Sequence, residues 1–368
     1  MKKFLKPIFY DEFSCVADKC RNTCCAGWNI YVDDAIAEKY EKNNIKLNDK
    51  QCMILDEEGR CTCLREDGLC GLVCKYGESF LSYTCDFYPR TARENDDYIE
   101  LYLNNSCQAV LEFLMKDHGH LIFTVCETYD REIIYDKTYN EINFLLRDFI
   151  IDLLQIESSS IWTRLFMAYN FIRHNNENNI DDINNEIKKY SEASYFFGLI
   201  DAIDRIKLDV PALIRQKAYM AKRINGSLDK GIVFKKYIKK ILEFIEIADV
   251  DDLVNDWVVF SKEMKKYDYF YENYAVNSIY KTLIPSKNEE KLVSNAEIIM
   301  LEIAMSYFTC FIWWHLNHKK ITEEEIIDIS GYYAKIMEHN KVLCNEFIDD
   351  LKKDGELSTA VIYMLLGI

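Results

Sequence analysis

The chain has 368 residues, 49% hydrophobic and 14% aromatic, with a formal charge of −16. That length buries a sizeable core without cross-links, and the composition is that of a globular protein. The acidic balance excludes a general nucleic-acid binder, whose footprint is basic, so no nucleic-acid partner is expected.

In chain order, MKKFLKPIFYDEF (1–13) meets Asp11 and Glu12 before an apolar run of signal length develops, so no export signal is expected. Residues 1–126 are rich in turns, with short helices expected at 34–43, capped by Asp33 or Asp34, and at 106–116. From about 141 onward, apolar residues recur at three- and four-residue spacing, as in EINFLLRDFIIDLLQI (141–156) and SIWTRLFMAYNFIRH (160–174). Further helices are expected at 181–206, 211–223, 232–248, 253–265, 270–283, 293–317, 322–339, 341–352 and 357–366. Pro211 suits a first helical turn and Pro285 a stop. The longest apolar run, 296–316, is broken by Glu302, Ser306, Thr309 and His315, which fits a buried helix better than a membrane span. The expectation is a cytoplasmic protein of mainly α class. Its irregular, cysteine-rich, metal-binding N-terminal part (1–126) packs on an α-helical C-terminal domain (127–368).

Fourteen cysteines are present, twelve at or before Cys126, followed only by Cys310 and Cys344. Cytoplasmic thiols stay reduced, so this crowding points to metal or redox chemistry rather than to disulfides. CRNTCCAGW (20–28), with Cys15 upstream, reads C-x4-C-x3-C-C. Thiolates suit zinc or iron–sulfur clusters. Paired CxxC zinc knuckles are absent, and no histidine precedes His118. Neighbouring side chains diverge, so Cys24 and Cys25 are expected to play different roles, one of them supporting the site or binding a second centre. Cys310 and Cys344 lie in helical patterns and are expected in the core. No glycine-rich strand-to-helix turn of the dinucleotide-binding kind occurs, nor the CxxxCxxC triplet of radical enzymes.

FSCVADKCRNTCCAGWNIYVDDAIAEKY (13–40) resembles the opening of the flagellin lysine-N-methylase family, and a similar short motif occurs in related cysteine-cluster proteins described as zinc- or iron-chelating. The resemblance continues through CLREDGLC (63–70), GESFLSYTCDFYPR (77–90) and IELYLNNSCQAVLEFL (99–114). Fainter echoes follow in SIWTRLF (160–166), ENYAVNSIYKTLIP (272–285) and MEHN (337–340). It implies an S-adenosylmethionine-dependent methyltransferase acting on lysine side chains of flagellin, with a [4Fe–4S] cluster. The thiols that fall on the family pattern are Cys15, Cys20, Cys24, Cys25, Cys63, Cys70, Cys85 and Cys107, more than the four that one cubane needs. Cys52, Cys61 and Cys74 lie outside it. Leu64 and Gln108 stand where the family commonly has proline.

Methyl transfer to lysine needs a neutral amine held in line with the methyl group. Tyr88 and Arg90, just after Cys85, are the candidate catalytic residues; Trp28, Asp33 and Asp34 are further candidates. Trp28 and His339 also have plain readings as packing residues. The competing reading of the whole chain is a non-catalytic module that holds iron or zinc and binds a partner.

Overall fold

The sheet in the first part of the chain breaks the alternation rule by which strands are usually recognised. The computed structural model describes residues 2–95, 97–116, 119–131, 133–137, 141–228, 235–284 and 291–367. Five strands, β1 (Lys3–Pro7), β2 (Arg90–Glu94), β3 (Tyr98–Leu103), β4 (Phe123–Cys126) and β5 (Asp136–Lys137), lie in the order β4-β1-β3-β2-β5. β2 and β3 pair antiparallel, with Arg90 opposite Leu103, and β1 runs parallel to β3, with Lys3 opposite Tyr98. Charged side chains are buried here: Arg93 is 2% exposed and Glu100 fully enclosed. Glu100 accepts from Arg93 and Arg147, each at 2.8 Å. Burial works to raise the Glu100 pKa, but Arg147 and Arg93 outweigh it and hold the carboxylate below its ordinary value.

Four helices accompany the sheet: α1 (Asp34–Lys42), α2 (Gly71–Tyr76), α3 (Tyr83–Phe87) and α4 (Gln108–Lys116). Asp33 is the cap of α1, its carboxylate accepting from the Ile36 N–H at 3.1 Å. The remainder is helical: α5 (Glu141–Leu154), α6 (Ile161–Asn175), α7 (Ile180–Ser191), α8 (Ala193–Asp204), α9 (Val210–Leu228) and α10 (Lys235–Ile247), then α11 (Val250–Met264), α12 (Asp268–Thr282), α13 (Leu292–Leu316), α14 (Glu323–His339), α15 (Lys341–Lys353) and α16 (Thr359–Leu366). The single helix expected at 181–206 is two, because Glu192 adopts an extended conformation between α7 and α8. Pro211 is the second residue of α9. Pro285 lies outside the described residues.

One apolar core joins Tyr10, Leu101, Leu103 and Leu111 to α12, α13 and α14, so the sheet and α4 share it with the C-terminal helices across residue 126. Residues 25–85 keep a smaller core of their own around Ile30, Val32, Tyr40 and Met53. Among the described residues α13 is the one helix long and apolar enough to cross a membrane, and its apolar stretch is wholly buried inside the fold.

α12 fastens the two regions together through polar side chains at four-residue spacing, which share one face of a helix. Asn273 accepts from the Leu121 N–H at 2.9 Å, Asn277 donates to the Leu103 carbonyl at 3.0 Å, and Lys281 meets Glu338 of α14.

Candidate active site beside the clustered thiols

The CRNTCC loop runs between the start of α4 and the side of α14. Arg21 bonds Asp328 through Nε at 3.0 Å, and its N–H donates to Gln108 Oε1 at 2.6 Å. Asn22 donates to the Ser106 carbonyl at 3.4 Å, and Lys335 to the Thr23 carbonyl at 2.6 Å. The close approach needs Gly331 of α14, where an added Cβ would stand 2.6 Å from Asn22 Nδ2. Past the vicinal cysteines, Gly27 takes φ +86°, a conformation glycine enters without strain, and its N–H reaches the Gly59 carbonyl at 2.9 Å. The Cys61 N–H donates to the Cys25 carbonyl at 2.7 Å, and the Gly71 N–H to the Cys63 carbonyl at 2.8 Å. Ser82 caps α3 by accepting from the Cys85 N–H at 3.2 Å. Asp33 accepts from the Tyr83 N–H at 2.8 Å, so its carboxylate secures the starts of both α1 and α3. Separate turns thereby bring distant thiols together.

All fourteen cysteines are free thiols. Cys25, Cys63, Cys70 and Cys85 pack against the small core, whereas Cys107 packs against the large one. Cys85 lies within electrostatic reach of Cys25, Cys70 and Cys63, and Cys107 within reach of Cys20 and Cys15. A hydrogen bond from Cys24 lowers Cys25 to about 7 and raises Cys24 well above its ordinary value. In the same way Cys61 lowers Cys63 to about 7. Burial pushes Cys85 up to about 11 and Cys107 up to about 12. Among the described residues no three His, Cys, Asp or Glu side chains form a group that could hold a metal ion. Cys310 and Cys344 are buried in the helical core, Cys310 accepting from the Tyr271 hydroxyl at 3.8 Å.

A cleft of about 380 Å³ opens beside the thiols, lined among others by Trp28, Tyr88, Arg90, Lys281, Glu338 and His339. Trp28 is locked by its indole N–H on the Cys24 carbonyl at 2.7 Å and stacks on His339 with centroids 4.4 Å apart. Tyr88 completes the wall, 5.6 Å from Trp28 and 5.8 Å from His339. Behind these rings Ser106 Oγ touches Tyr88 Oη at 3.0 Å, His339 Nε2 at 3.1 Å and the Glu338 carboxylate. A hydroxyl has one proton to give. Given to the carboxylate, it leaves Ser106 accepting from Tyr88 and from His339 Nε2–H, which places the imidazole lone pair on Nδ1. Glu338 also accepts from the Asn105 and Ser106 N–H groups, each at 3.0 Å, and contacts Lys281.

The surroundings disfavour added positive charge. Burial lowers Lys281 to about 7 against the pull of Glu302, and lowers Lys335 to about 8 against the charges of Cys24, Cys20, Cys107 and Cys25. Burial, with Lys335 and Lys281, holds His339 down at about 3. Tyr88 is raised well above its ordinary value by burial first and then by Cys107, Cys24 and Cys20. Near neutral pH the wall therefore presents a neutral imidazole and a neutral phenol.

Of the residues singled out in the sequence, Tyr88, Arg90 and Trp28 share this cleft. Arg90 donates to the Phe13 carbonyl at 3.3 Å and covers the Phe13 ring at 4.7 Å; among the described residues it meets no carboxylate. Asp33 is spent on helix caps, and Asp34 accepts from Gln51 at 2.8 Å, so neither enters the site. Ser106, Lys281 and Glu338 lie in segments that carry the family resemblance, but neither they nor Lys335 stand out by residue type or spacing; the visible hint is the polar stripe Asn273, Asn277 and Lys281 on α12.

Residues 147–366, more than half of the chain, match the family described as the FliB lysine N-methylase C-terminal domain. A lysine-N-methylase from Salmonella typhimurium is 25% identical over 192 residues, and the match covers 46% of this chain and 46% of the relative. A flagellar biosynthetic protein FliU from Salmonella muenchen is 26% identical over 151 residues, covering 36% of this chain and 89% of the relative. The chain thus spans about half the length of the curated lysine-N-methylases it matches. No solved structure matches it. Lys281, Lys335, Glu338 and His339 lie in the matched segment, and Trp28, Tyr88 and Arg90 in the cysteine-rich part that precedes it. By the match over its helical region, the chain belongs to the FliB lysine N-methylase family.

Proposed function

We propose that the cleft is where a methyl group passes from S-adenosylmethionine to lysine side chains of flagellin, next to a [4Fe–4S] cluster held by the pattern cysteines. The observation that carries this reading is the shared cleft itself. The family-matched helices supply Lys281, Glu338 and His339, and the cysteine-rich part supplies Trp28, Tyr88 and Arg90. The substrate assignment draws on the relatives, two of which are named for lysine methylation and one for flagellar biosynthesis.

The residues lining the cleft fit the methyl donor. A cleft of about 380 Å³ lies in the range of small-molecule sites. Trp28 and Tyr88 offer ring faces to an adenine or a sulfonium, and Arg90 offers a guanidinium with no carboxylate of its own among the described residues. The thiols suit a cluster better than one bare ion. Zinc at about 2.3 Å from each sulfur draws its ligands onto one point. A cubane gives each thiolate a separate iron, and since no three of the described thiols form a group that could hold a metal ion, the cluster reading draws on the family pattern of cysteines. S-adenosylmethionine supplies an electrophilic methyl group on a positively charged sulfur. A cluster supplies cross-links between the thiol loops and a centre able to exchange an electron.

The chain's own part is to make the amine reactive and hold it. The site that lowers Lys281 to about 7 and Lys335 to about 8 imposes the same penalty on an incoming lysine ammonium. Such a substrate sheds its proton to water near neutral pH as it enters. The neutral Tyr88 and His339 then line its path without offering a competing charge. The ring wall excludes water from the amine and fixes its approach.

The test is anaerobic purification, followed by iron and sulfide analysis, S-adenosylmethionine binding, and mass spectrometry of flagellin lysines after incubation. Methyl-lysine formed by the native protein and lost with Tyr88→Phe and Arg90→Lys supports the reading. Iron-replete protein that neither binds the donor nor methylates flagellin refutes it in favour of the non-catalytic module.

A further inference from the structure

β2 meets the cleft edge-on. Arg90, Thr91 and Ala92 are consecutive and all line it, although successive strand side chains leave opposite faces. A cleft touches all of them only along the side of the strand. β5, the next strand on that side, pairs with Arg93 and Glu94 alone, so the ladder stops where the cleft begins.

The hydrogen bonds at the two ends of the β2–β3 ladder tell which backbone groups face the gap. The Asn104 N–H donates to the Pro89 carbonyl at 3.0 Å, and the Asn95 N–H to the Tyr98 carbonyl at 2.9 Å. Bonded and non-bonded pairs alternate along an antiparallel ladder, so Pro89, Thr91, Arg93 and Asn95 turn their backbone groups toward β3. Arg90 and Ala92 turn theirs the other way. Among the described residues nothing bonds the Arg90 N–H, the Arg90 carbonyl or the Ala92 N–H. The Thr91 hydroxyl is an orphan as well, its oxygen sealed and without a hydrogen-bond partner among the described residues. Ile134 and Tyr135, 65% and 37% exposed, flank the same cleft.

We infer that this open edge receives the protein substrate as an added strand: an extended segment pairs its backbone with Arg90 and Ala92 and lays its lysine opposite Thr91. The inference rests on the function proposed above and supplies how a polypeptide is held at the cleft. Unpaired donors and acceptors on a strand edge are completed by any extended backbone, while the space beside alternate side chains selects the residue. The pleat fixes the direction of the lysine. Residues opposite each other across a ladder project to the same side, and Thr91 shares its side with Arg93. The Arg93 guanidinium reaches the Tyr280 and Lys281 carbonyls of α12. A lysine opposite Thr91 therefore points to the side of the cleft that carries Lys281, with Glu338 and His339 of α14 beside it. Arg90 projects to the other side and covers the Phe13 ring, which leaves the edge clear. The charge of −16 draws a lysine-bearing segment toward the chain and repels an acidic one.

The probe is a short fluorescent flagellin peptide with one central lysine, added to the full chain purified without oxygen. Anisotropy reads its binding and mass spectrometry its methylation. Backbone N-methylation should weaken binding ~10-fold at alternate residues, whose N–H groups face β2, and little at the residues between. Loss at the lysine's own amide marks a parallel strand, and loss at its neighbours an antiparallel one. Ala92→Pro removes an outward N–H and spares the β3 ladder, as an edge strand tolerates. It should raise KM for the peptide ~10-fold with kcat little changed. Should that variant misfold, the N-methyl series on the native chain decides. Alternation in binding without methylation upholds the edge and refutes the proposed reaction. Methylation of a peptide that N-methyl groups harm nowhere, or harm equally everywhere, overturns the edge and leaves the reaction standing, as does a folded Ala92→Pro with native KM. A peptide that neither binds nor is methylated overturns both.

Discussion

Removing the Glu338 carboxylate gives the sharpest energetic test of the cleft. Glu338 accepts from the Asn105 and Ser106 N–H groups at 3.0 Å each, from Ser106 Oγ, and from Lys281, whose side chain is 5% exposed. Below about pH 7, where Lys281 keeps its proton, breaking this buried ion pair from one side costs ~3–5 kcal/mol. Each backbone donor left without an acceptor adds ~1–3 kcal/mol in a dry interior. Truncating Glu338, which lines the cleft, opens these buried donors to water, so the pair dominates, and Glu338→Ala should lose ~3–4 kcal/mol. Glu338→Gln retains an oxygen for the N–H groups and should lose ~1–2 kcal/mol. Lys281→Met removes a burdened cation and leaves Glu338 three donors, so it should cost less than Glu338→Ala. The double variant Glu338→Ala/Lys281→Met should recover ~2 kcal/mol relative to the sum of the singles. Urea denaturation followed by tryptophan fluorescence and circular dichroism reads all four corners of the cycle. A loss below ~0.5 kcal/mol for Glu338→Ala, or additive singles, would refute the account.

Lys217 is fully enclosed, donates to the Leu365 carbonyl, and burial lowers it from 10.5 to about 7. Below about 7 the lysine is charged in both states and the full burial penalty applies; between about 7 and 10.5 only the unfolded chain holds the proton, so stability climbs with pH. Lys217→Met should flatten that rise in denaturation midpoints measured across the window, and an unchanged slope would count against it. Gly331→Ala should push Asn22 from its hold on Ser106, costing ~1–2 kcal/mol; an unchanged melting temperature would speak against the docking described. Gly198→Ala, in α8 with nothing near its Cβ position, should instead raise stability by ~0.5–1 kcal/mol in thermal melts. Cys310→Ala and Cys344→Ala should leave the absorption spectrum of the proposed cluster unaltered, since both sulfurs sit in the helical core.

The helices were readable because their signal is local. LLRDFIIDLL and LFMAYNFI repeat apolar residues at the helical period, and α5 and α6 form there. The sheet was not, because RTARE and YIELYL bury Arg93, Glu94 and Glu100, the residues an alternation rule would place outside. Their burial depends on Arg147 and the Tyr280 carbonyl, far along the chain. The eight thiols likewise stood out by spacing, but their neighbours are set by which loop folds against which core. Tyr88 and Arg90 could be named beside Cys85, whereas Glu338 and Lys281 gain meaning only from Ser106, Asn105 and each other.

α13 has a further consequence for how the chain is made. Its 25 residues are mostly apolar and are buried on all sides, and part of that cover comes from α14, α15 and α16, which the ribosome synthesises afterward. While those helices are still emerging, the nascent segment satisfies the length and apolarity of a membrane span with only the earlier helices, α6 and α9 to α12, to cover it. Its place in the interior is thus a property of the assembled chain. Truncation before α14 would deliver this helix to aggregation or to a lipid surface.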